Sequence, residues 1–252
     1  MNLWAFGESF TAGDELADFL VAYPYILGNM LKCDKVYNTA YSGASNYFIT
    51  EQLMNNITRI TDDDYLVFGF TSCSRHQYFS NDFNNYVTVQ NAIEPFNFLR
   101  IKGTKNHTKY GIKYKIFSNV IDEFKEKEAL DISINFCKNF LEELNYMTIE
   151  TLIEILSVYK ICKRNNFKFL LTMAFHNPFT ENLSILRCKE TINIMSYVIA
   201  EVQDKTLLFP EFQKFCIDNK IDLMPLGHPC EKGHLEWAKV LYNKLNEIYG
   251  VE

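Results

Sequence analysis

The run Tyr65-Leu66-Val67-Phe68-Gly69-Phe70 follows the acidic turn Asp62-Asp63-Asp64 and carries no charged or amide side chain over six positions. A half-buried strand would alternate apolar with polar residues, so this continuous pattern predicts a strand covered on both faces, as in a parallel sheet flanked by helices. Other short runs repeat the theme. Residues 3–6 end at Gly7 and read as a first strand opening into a turn, 35–40 read as a second strand, and 168–174 as a later one. Between them lie segments with helical spacing: 14–31, in which Pro24 implies a break or a fresh helix start, then 46–60, 148–164 and 189–201. A further apolar run occupies 206–209, and a last helix follows Gly233. Strands alternating with helices predict a three-layer α/β/α sandwich with a mostly parallel central sheet, whose sites form where the loops converge at the carboxyl ends of the strands.

The stretch from about 76 to 146 departs from this order, with Lys-rich and Asn-rich segments around a helical pattern at 119–144, and reads as an irregular insertion. No internal repeat or low-complexity linker divides the 252 residues, so a single domain spanning 1–252 is expected. The net charge of −6 argues against a nucleic-acid partner, which calls for a basic surface. No apolar stretch is long enough to span a bilayer, and the first residues lack the pattern of a secretory signal, giving the expectation of a cytoplasmic protein without a membrane partner. The seven cysteines (33, 73, 137, 162, 188, 216 and 230) are scattered, never spaced as CxxC, and fit a reducing compartment better than a disulfide framework. Fifteen Tyr and twenty-one Phe suit a sugar-stacking surface or, equally, a core of large side chains.

Three segments carry the chemistry, each after a predicted strand. Phe6-Gly7-Glu8-Ser9-Phe10-Thr11-Ala12-Gly13 holds a serine in a Gly-flanked turn; by itself this is also a helix cap. Asn38-Thr39-Ala40-Tyr41-Ser42-Gly43-Ala44-Ser45-Asn46 offers a backbone N–H at Gly43 to a developing oxyanion, or a turn in which Ser45 or Asn46 caps the next helix. His228-Pro229-Cys230-Glu231-Lys232-Gly233-His234 places a histidine before the final helix.

Together these residues resemble the SGNH/GDSL hydrolase family, whose blocks carry Ser, Gly, Asn and His in that chain order. Gly7-Glu8-Ser9 is similar to the Gly-Asp-Ser block, with Glu8 in place of aspartate. Asn38 through Gly43 is similar to the second block, and His228-Pro229 with Gly233-His234 to the last. The resemblance implies a flavodoxin-like SGNH hydrolase fold and a carboxylic ester hydrolase with no cofactor. In it Ser9 is the nucleophile and His228 the base, and the N–H groups of Ser9 and Gly43 form the oxyanion hole. The substrate class is a small-molecule or glycan ester. O-acyl transfer and a catalytically silent binding or structural domain are the alternatives on the same fold.

Two blocks depart from the pattern. After the 65–70 strand the expected asparagine is replaced by Thr71, the implied third oxyanion donor, with Ser72 and Arg75 as candidate substrate contacts from the same loop. A virus-associated subgroup has a similar Thr-Ser and nearby Arg. Three residues before His228, where an acid is expected, stands Pro225; Asp222 is the nearest upstream carboxylate and is taken as the orienter of His228, with Glu231 the nearest downstream. His234 is read as structural, beside Trp237. A zinc site at His228, Cys230 and His234 competes, but His76, His107 and His176 are isolated and no second ligand cluster accompanies it, so no metal is expected. The sequence does not set the oligomeric state.

Overall fold

The computed structural model of the chain describes residues 1–72, 75–80, 85–90, 98–101, 108–109, 144–175, 189–202 and 211–251. In chain order, β1 (Asn2–Gly7) leads into the four-residue helix α1 (Ser9–Ala12), a 3-10 turn (Phe19–Val21) and α2 (Tyr23–Met30). β2 (Lys35–Asn38), α3 (Asn46–Asn56) and β3 (Tyr65–Phe70) follow. Next come four short strands, β4 (Arg75–Ser80), β5 (Asn85–Gln90), β6 (Phe98–Ile101) and β7 (Thr108–Lys109). The chain then continues through α4 (Leu144–Arg164), β8 (Lys168–Met173), α5 (Lys189–Val202), α6 (Phe212–Asp218) and α7 (Glu231–Tyr249).

The central sheet has the order β2-β1-β3-β8 and every pairing in it is parallel. Its registers are fixed by alternation. Trp4 and Phe6 of β1, Leu66, Phe68 and Phe70 of β3, and Phe169, Leu171 and Met173 of β8 enter one core with residues of α3, α4 and α5. Leu3, Tyr65, Val67 and Leu170 point to the other face and meet α2, α6 and α7. Both sheet faces are therefore dry, which explains why β3 contains no polar position. Each of these large side chains contributes about 1.5–3 kcal/mol by leaving water. A one-residue slip of β3 would exchange the two sets, so the pattern also fixes the register.

The predicted helix at 14–31 resolves into separate pieces, with Pro24 in the first turn of α2, where its missing N–H costs nothing. The strand expected over 35–40 ends at Asn38, whose side-chain oxygen accepts the Ala40 N–H (3.1 Å) and turns the chain. The helix expected to Ile60 stops at Asn56, whose amide donates to the Gln52 carbonyl (2.8 Å), and continues as a 3-10 turn, Ile57–Arg59.

The region read as irregular holds a second sheet, antiparallel, with the order β4-β5-β6-β7. Asn85-Tyr86-Val87-Thr88-Val89-Gln90 is rich in β-branched and aromatic residues and pairs with Arg75–Ser80 in a hairpin. The helical pattern at 119–144 lies outside the described residues except Leu144, where α4 begins, and the run at 206–209 lies outside them too. Among the described residues no helix is long and apolar enough to cross a membrane.

Candidate active site

The first loop is built on two glycines. Gly7 and Gly69 are paired across β1 and β3, and a Cβ on either would lie 2.1 or 2.5 Å from Thr11 Oγ1. Their bare backbones form a socket into which α1 presses Thr11, whose hydroxyl hydrogen-bonds Tyr23 Oη (3.0 Å). Glu8 takes extended backbone geometry as N-cap of α1 and accepts the Phe10 N–H through Oε1 (2.9 Å). Ser9 is thereby the first residue of the helix, where its N–H has no intrahelical acceptor. Gly13, at φ 83°, closes the turn.

The second loop is tied to the first. Tyr41 N–H donates to the Gly7 carbonyl (3.1 Å), Asn38 Nδ2 to the Thr11 carbonyl (2.9 Å), and the Ser42 hydroxyl to Asp14. These bonds hold Gly43, at φ 79°, beside the serine turn. Ser45 caps α3 by accepting the Phe48 N–H (3.2 Å).

The third loop leaves β3 at Thr71, which is fully buried. Asn46 grips its peptide from both sides: Oδ1 accepts the Thr71 N–H (2.8 Å) and Nδ2 donates to the Thr71 carbonyl (3.2 Å). The Thr71 hydroxyl has no partner among the described residues. A buried hydroxyl left unpaired carries a desolvation cost. Ser72 is buried beside it. Arg75, expected as a substrate contact, donates through Nη1 to Glu8 Oε2 (3.3 Å) and lies over the Phe175 ring (4.8 Å).

The fourth loop precedes α7. A bridge between Leu223 and Pro229, with Met224 N–H donating to the His228 carbonyl (2.7 Å), fixes the backbone on either side of a turn at Gly227. The His228 ring packs against Phe10, the neighbour of Ser9, at 5.2 Å between centroids. Its Nδ1 lies 2.7 Å from Glu15 Oε2. Glu15 also receives the Leu226 N–H on both carboxylate oxygens (3.1 Å each). Asp222, the acid expected to orient His228, is exposed, and the carboxylate at Nδ1 is that of Glu15. Sequence inspection missed Glu15 because it lies 213 residues from His228 and belongs to no block. Its one sign is a Gly-Asp-Glu turn close behind Ser9. Its backbone sits at φ 69°, a left-handed geometry unusual for a non-glycine residue.

With Nδ1 facing a carboxylate, the proton of neutral His228 belongs on Nδ1 and Nε2 is the free base. The Ser9 hydroxyl, however, is donated to Glu8 Oε2 at 2.5 Å. The site brings the Ser9, Gly43 and Thr71 loops to the carboxyl ends of β1, β2 and β3, with the His228 ring against the helix that carries Ser9.

His234 does different work. Ala22, the N-cap of α2, supplies no side-chain bond, and His234 Nδ1 accepts the Tyr23 N–H (3.1 Å) in its place. Burial, and then the nearby His228, push its pKa down to about 3. It packs against Tyr23 and Phe212, and Trp237 stacks on Phe212. Among the described residues no three His, Cys, Asp or Glu side chains converge to hold a metal ion.

No family model matches the sequence. No curated protein matches it either. Solved structures do match. TesA aligns over 98% of this chain and 99% of its own, at 14% identity and a TM-score of 0.53. A carbohydrate esterase family 2 enzyme with a carbohydrate-binding domain, from Corynascus thermopiles (Myceliophthora fergusii), aligns over 99% of this chain and 66% of its own, at 12% identity and a TM-score of 0.50. A member of the lipolytic protein G-D-S-L family from Veillonella parvula DSM 2008 aligns over 99% and 98%, at 11% identity and a TM-score of 0.47. At these identities the likeness is one of fold, a parallel four-stranded sheet with helices on both faces.

Proposed function

We propose that the protein is a serine-dependent esterase in which Ser9, His228 and Glu15 form the triad. The observation that carries this reading is the 2.7 Å contact between His228 Nδ1 and Glu15, which leaves Nε2 to act as base, with the His228 ring packed on Phe10, the residue after Ser9.

In this mechanism the Ser9 hydroxyl turns from Glu8 to His228 Nε2, which takes its proton as Oγ attacks the ester carbonyl carbon. The imidazolium is stabilised by the Glu15 carboxylate. The oxyanion is met by the N–H groups of Ser9 and Gly43 and by the Thr71 hydroxyl, which has no partner among the described residues. Collapse breaks the ester C–O bond, and His228 returns its proton to the leaving alkoxide. A water, deprotonated by His228, then releases the acid and regenerates Ser9; an acceptor alcohol in place of that water gives acyl transfer. Arg75 donates to Glu8 and so braces the serine turn, and both it and Ser72 remain candidate substrate contacts.

The substrate we propose is an acylated carbohydrate, the class on which the fold neighbour named as a carbohydrate esterase acts. The silent-domain alternative draws on one observation, the engagement of the Ser9 hydroxyl by Glu8. A p-nitrophenyl acetate assay with wild type, Ser9→Ala and His228→Ala decides between them. The account expects turnover by the wild type that falls at least about 1,000-fold in either variant. A folded wild type with no turnover, or an undiminished Ser9→Ala, contradicts it. Acetate release from acetylated oligosaccharides then tests the substrate class.

A further inference from the structure

The partner of the nucleophile's proton is Glu8, and nothing in the triad requires it. Glu8 is fully buried and its carboxylate is fixed from three directions. Oε1 accepts the Phe10 N–H at 2.9 Å, while Oε2 accepts the Ser9 hydroxyl at 2.5 Å and the Arg75 guanidinium at 3.3 Å. Arg75 is itself only 12% exposed and rests on the Phe175 ring. The acceptor is thus a buried carboxylate held by three donors. An O–H···O⁻ bond of this length belongs to the stronger class of hydrogen bonds.

We infer that Glu8 is a latch that holds Ser9 in a resting state and sets how often the nucleophile is available. The inference rests on the proposed role of Ser9. A serine hydroxyl has one proton. While that proton is donated to Glu8, it is not donated to His228 Nε2, and the attacking lone pair is not the one that His228 would activate. The reactive form is the minority in which Oγ–H has turned to the imidazole, and the observed rate is the intrinsic rate scaled by that fraction. Carboxylate reach decides the balance. Aspartate at this position, shorter by one methylene, still carries the charge for Arg75 and an oxygen for the Phe10 N–H, but its second oxygen is drawn back from Oγ. Glutamine keeps the length and removes the charge that makes the bond strong.

The test is the second-order rate of covalent labelling of Ser9 by a fluorophosphonate, measured for wild type, Glu8→Asp, Glu8→Gln, Ser9→Ala and Glu8→Asp/His228→Ala, with folding checked by circular dichroism. The latch predicts that Glu8→Asp labels about 10-fold faster than wild type. It predicts that the gain disappears in the double variant with His228→Ala, and that Glu8→Gln also accelerates. A merely structural role for Glu8 slows labelling and cannot speed it. Equal or slower labelling in both folded Glu8 variants, with wild type still labelled, overturns the latch and leaves the triad standing. Absence of labelling in folded wild type and both variants overturns Ser9 as nucleophile and the latch with it. If Glu8→Asp does not fold, Glu8→Gln carries the same decision.

Discussion

Replacing Glu15 by Gln tests the acid assignment with little change of shape. The Gln side-chain oxygen can still accept from His228 Nδ1 and from the Leu226 N–H, so the loop and the imidazole orientation are retained, while the charge 2.7 Å from Nδ1 is lost. The Glu15 side chain is 15% exposed and that of His228 11%, so water screens the contact only partly. A hydrogen bond to a charged group contributes about 1.5–3 kcal/mol, against about 1 for a neutral pair. The difference applies mainly when His228 is protonated, that is, in the transition state. A loss of about 1–2 kcal/mol there corresponds to a roughly 5- to 30-fold fall in kcat with little change in KM. Glu15→Leu removes the acceptor altogether and lets the ring take the wrong tautomer, for which about 1,000-fold or more is expected. Steady-state hydrolysis of p-nitrophenyl acetate reads both, with Asp222→Asn as the control. Asp222 is exposed, and Asp222→Asn is expected to stay within twofold of wild type. Full activity in Glu15→Leu, or a loss confined to Asp222→Asn, refutes the assignment.

Thr71→Val replaces a buried hydroxyl that has no partner among the described residues by a methyl of similar size, so the melting temperature is expected to hold or rise while kcat falls about 10- to 100-fold; a large loss of stability would show that the hydroxyl has a structural partner. Gly69→Ala drives a Cβ to 2.5 Å from Thr11 Oγ1 and is expected to cost about 1–3 kcal/mol in urea unfolding, with α1 and Ser9 displaced. His234, whose pKa is about 3 in the folded chain against an ordinary 6.5, makes unfolding easier as pH falls from 6.5 toward 3, because only the unfolded chain takes up the proton there. Its contribution is a loss of about 2 kcal/mol between pH 8 and pH 5, read by urea unfolding and diminished in His234→Asn. Asp64 acts further down the scale. Burial alone would raise its pKa, but hydrogen bonds from Thr61, Asn2 and Trp4 outweigh that and hold it below the ordinary value, so its stabilisation is lost as pH falls through the acid range.

The sheet was legible because a strand buried on both faces reads as a largely apolar run; Tyr65–Phe70 announces itself in that way, and Phe169-Leu170-Leu171 marks the centre of Lys168–Met173. Ser9 and His228 were singled out in the sequence by their resemblance to the SGNH/GDSL blocks, and the fold brings the His228 ring against Phe10, the neighbour of Ser9. Glu15 was not. Its role arises only when the fold closes residues 15 and 228 together, and a carboxylate in a surface-like turn carries no local mark of that contact. The Glu8 bond to Ser9 was hidden for a related reason: a glutamate before a serine is an ordinary helix cap in sequence, and only burial with Arg75 makes its carboxylate a fixed acceptor. The β4–β5 hairpin was masked by its Asn-rich and Lys-rich surroundings, although Asn85–Gln90 has the composition of a strand.

The central claim is that Ser9 takes up the acyl group, and the most direct measurement is the acyl-enzyme itself. Wild type mixed with p-nitrophenyl acetate and quenched in acid within the first turnover is digested and mapped by mass spectrometry. The account predicts an acetyl group on the Ser9 peptide, localised to that residue, absent from Ser9→Ala and strongly reduced in His228→Ala. Turnover with no acetyl on Ser9, or with the adduct on another residue, contradicts it.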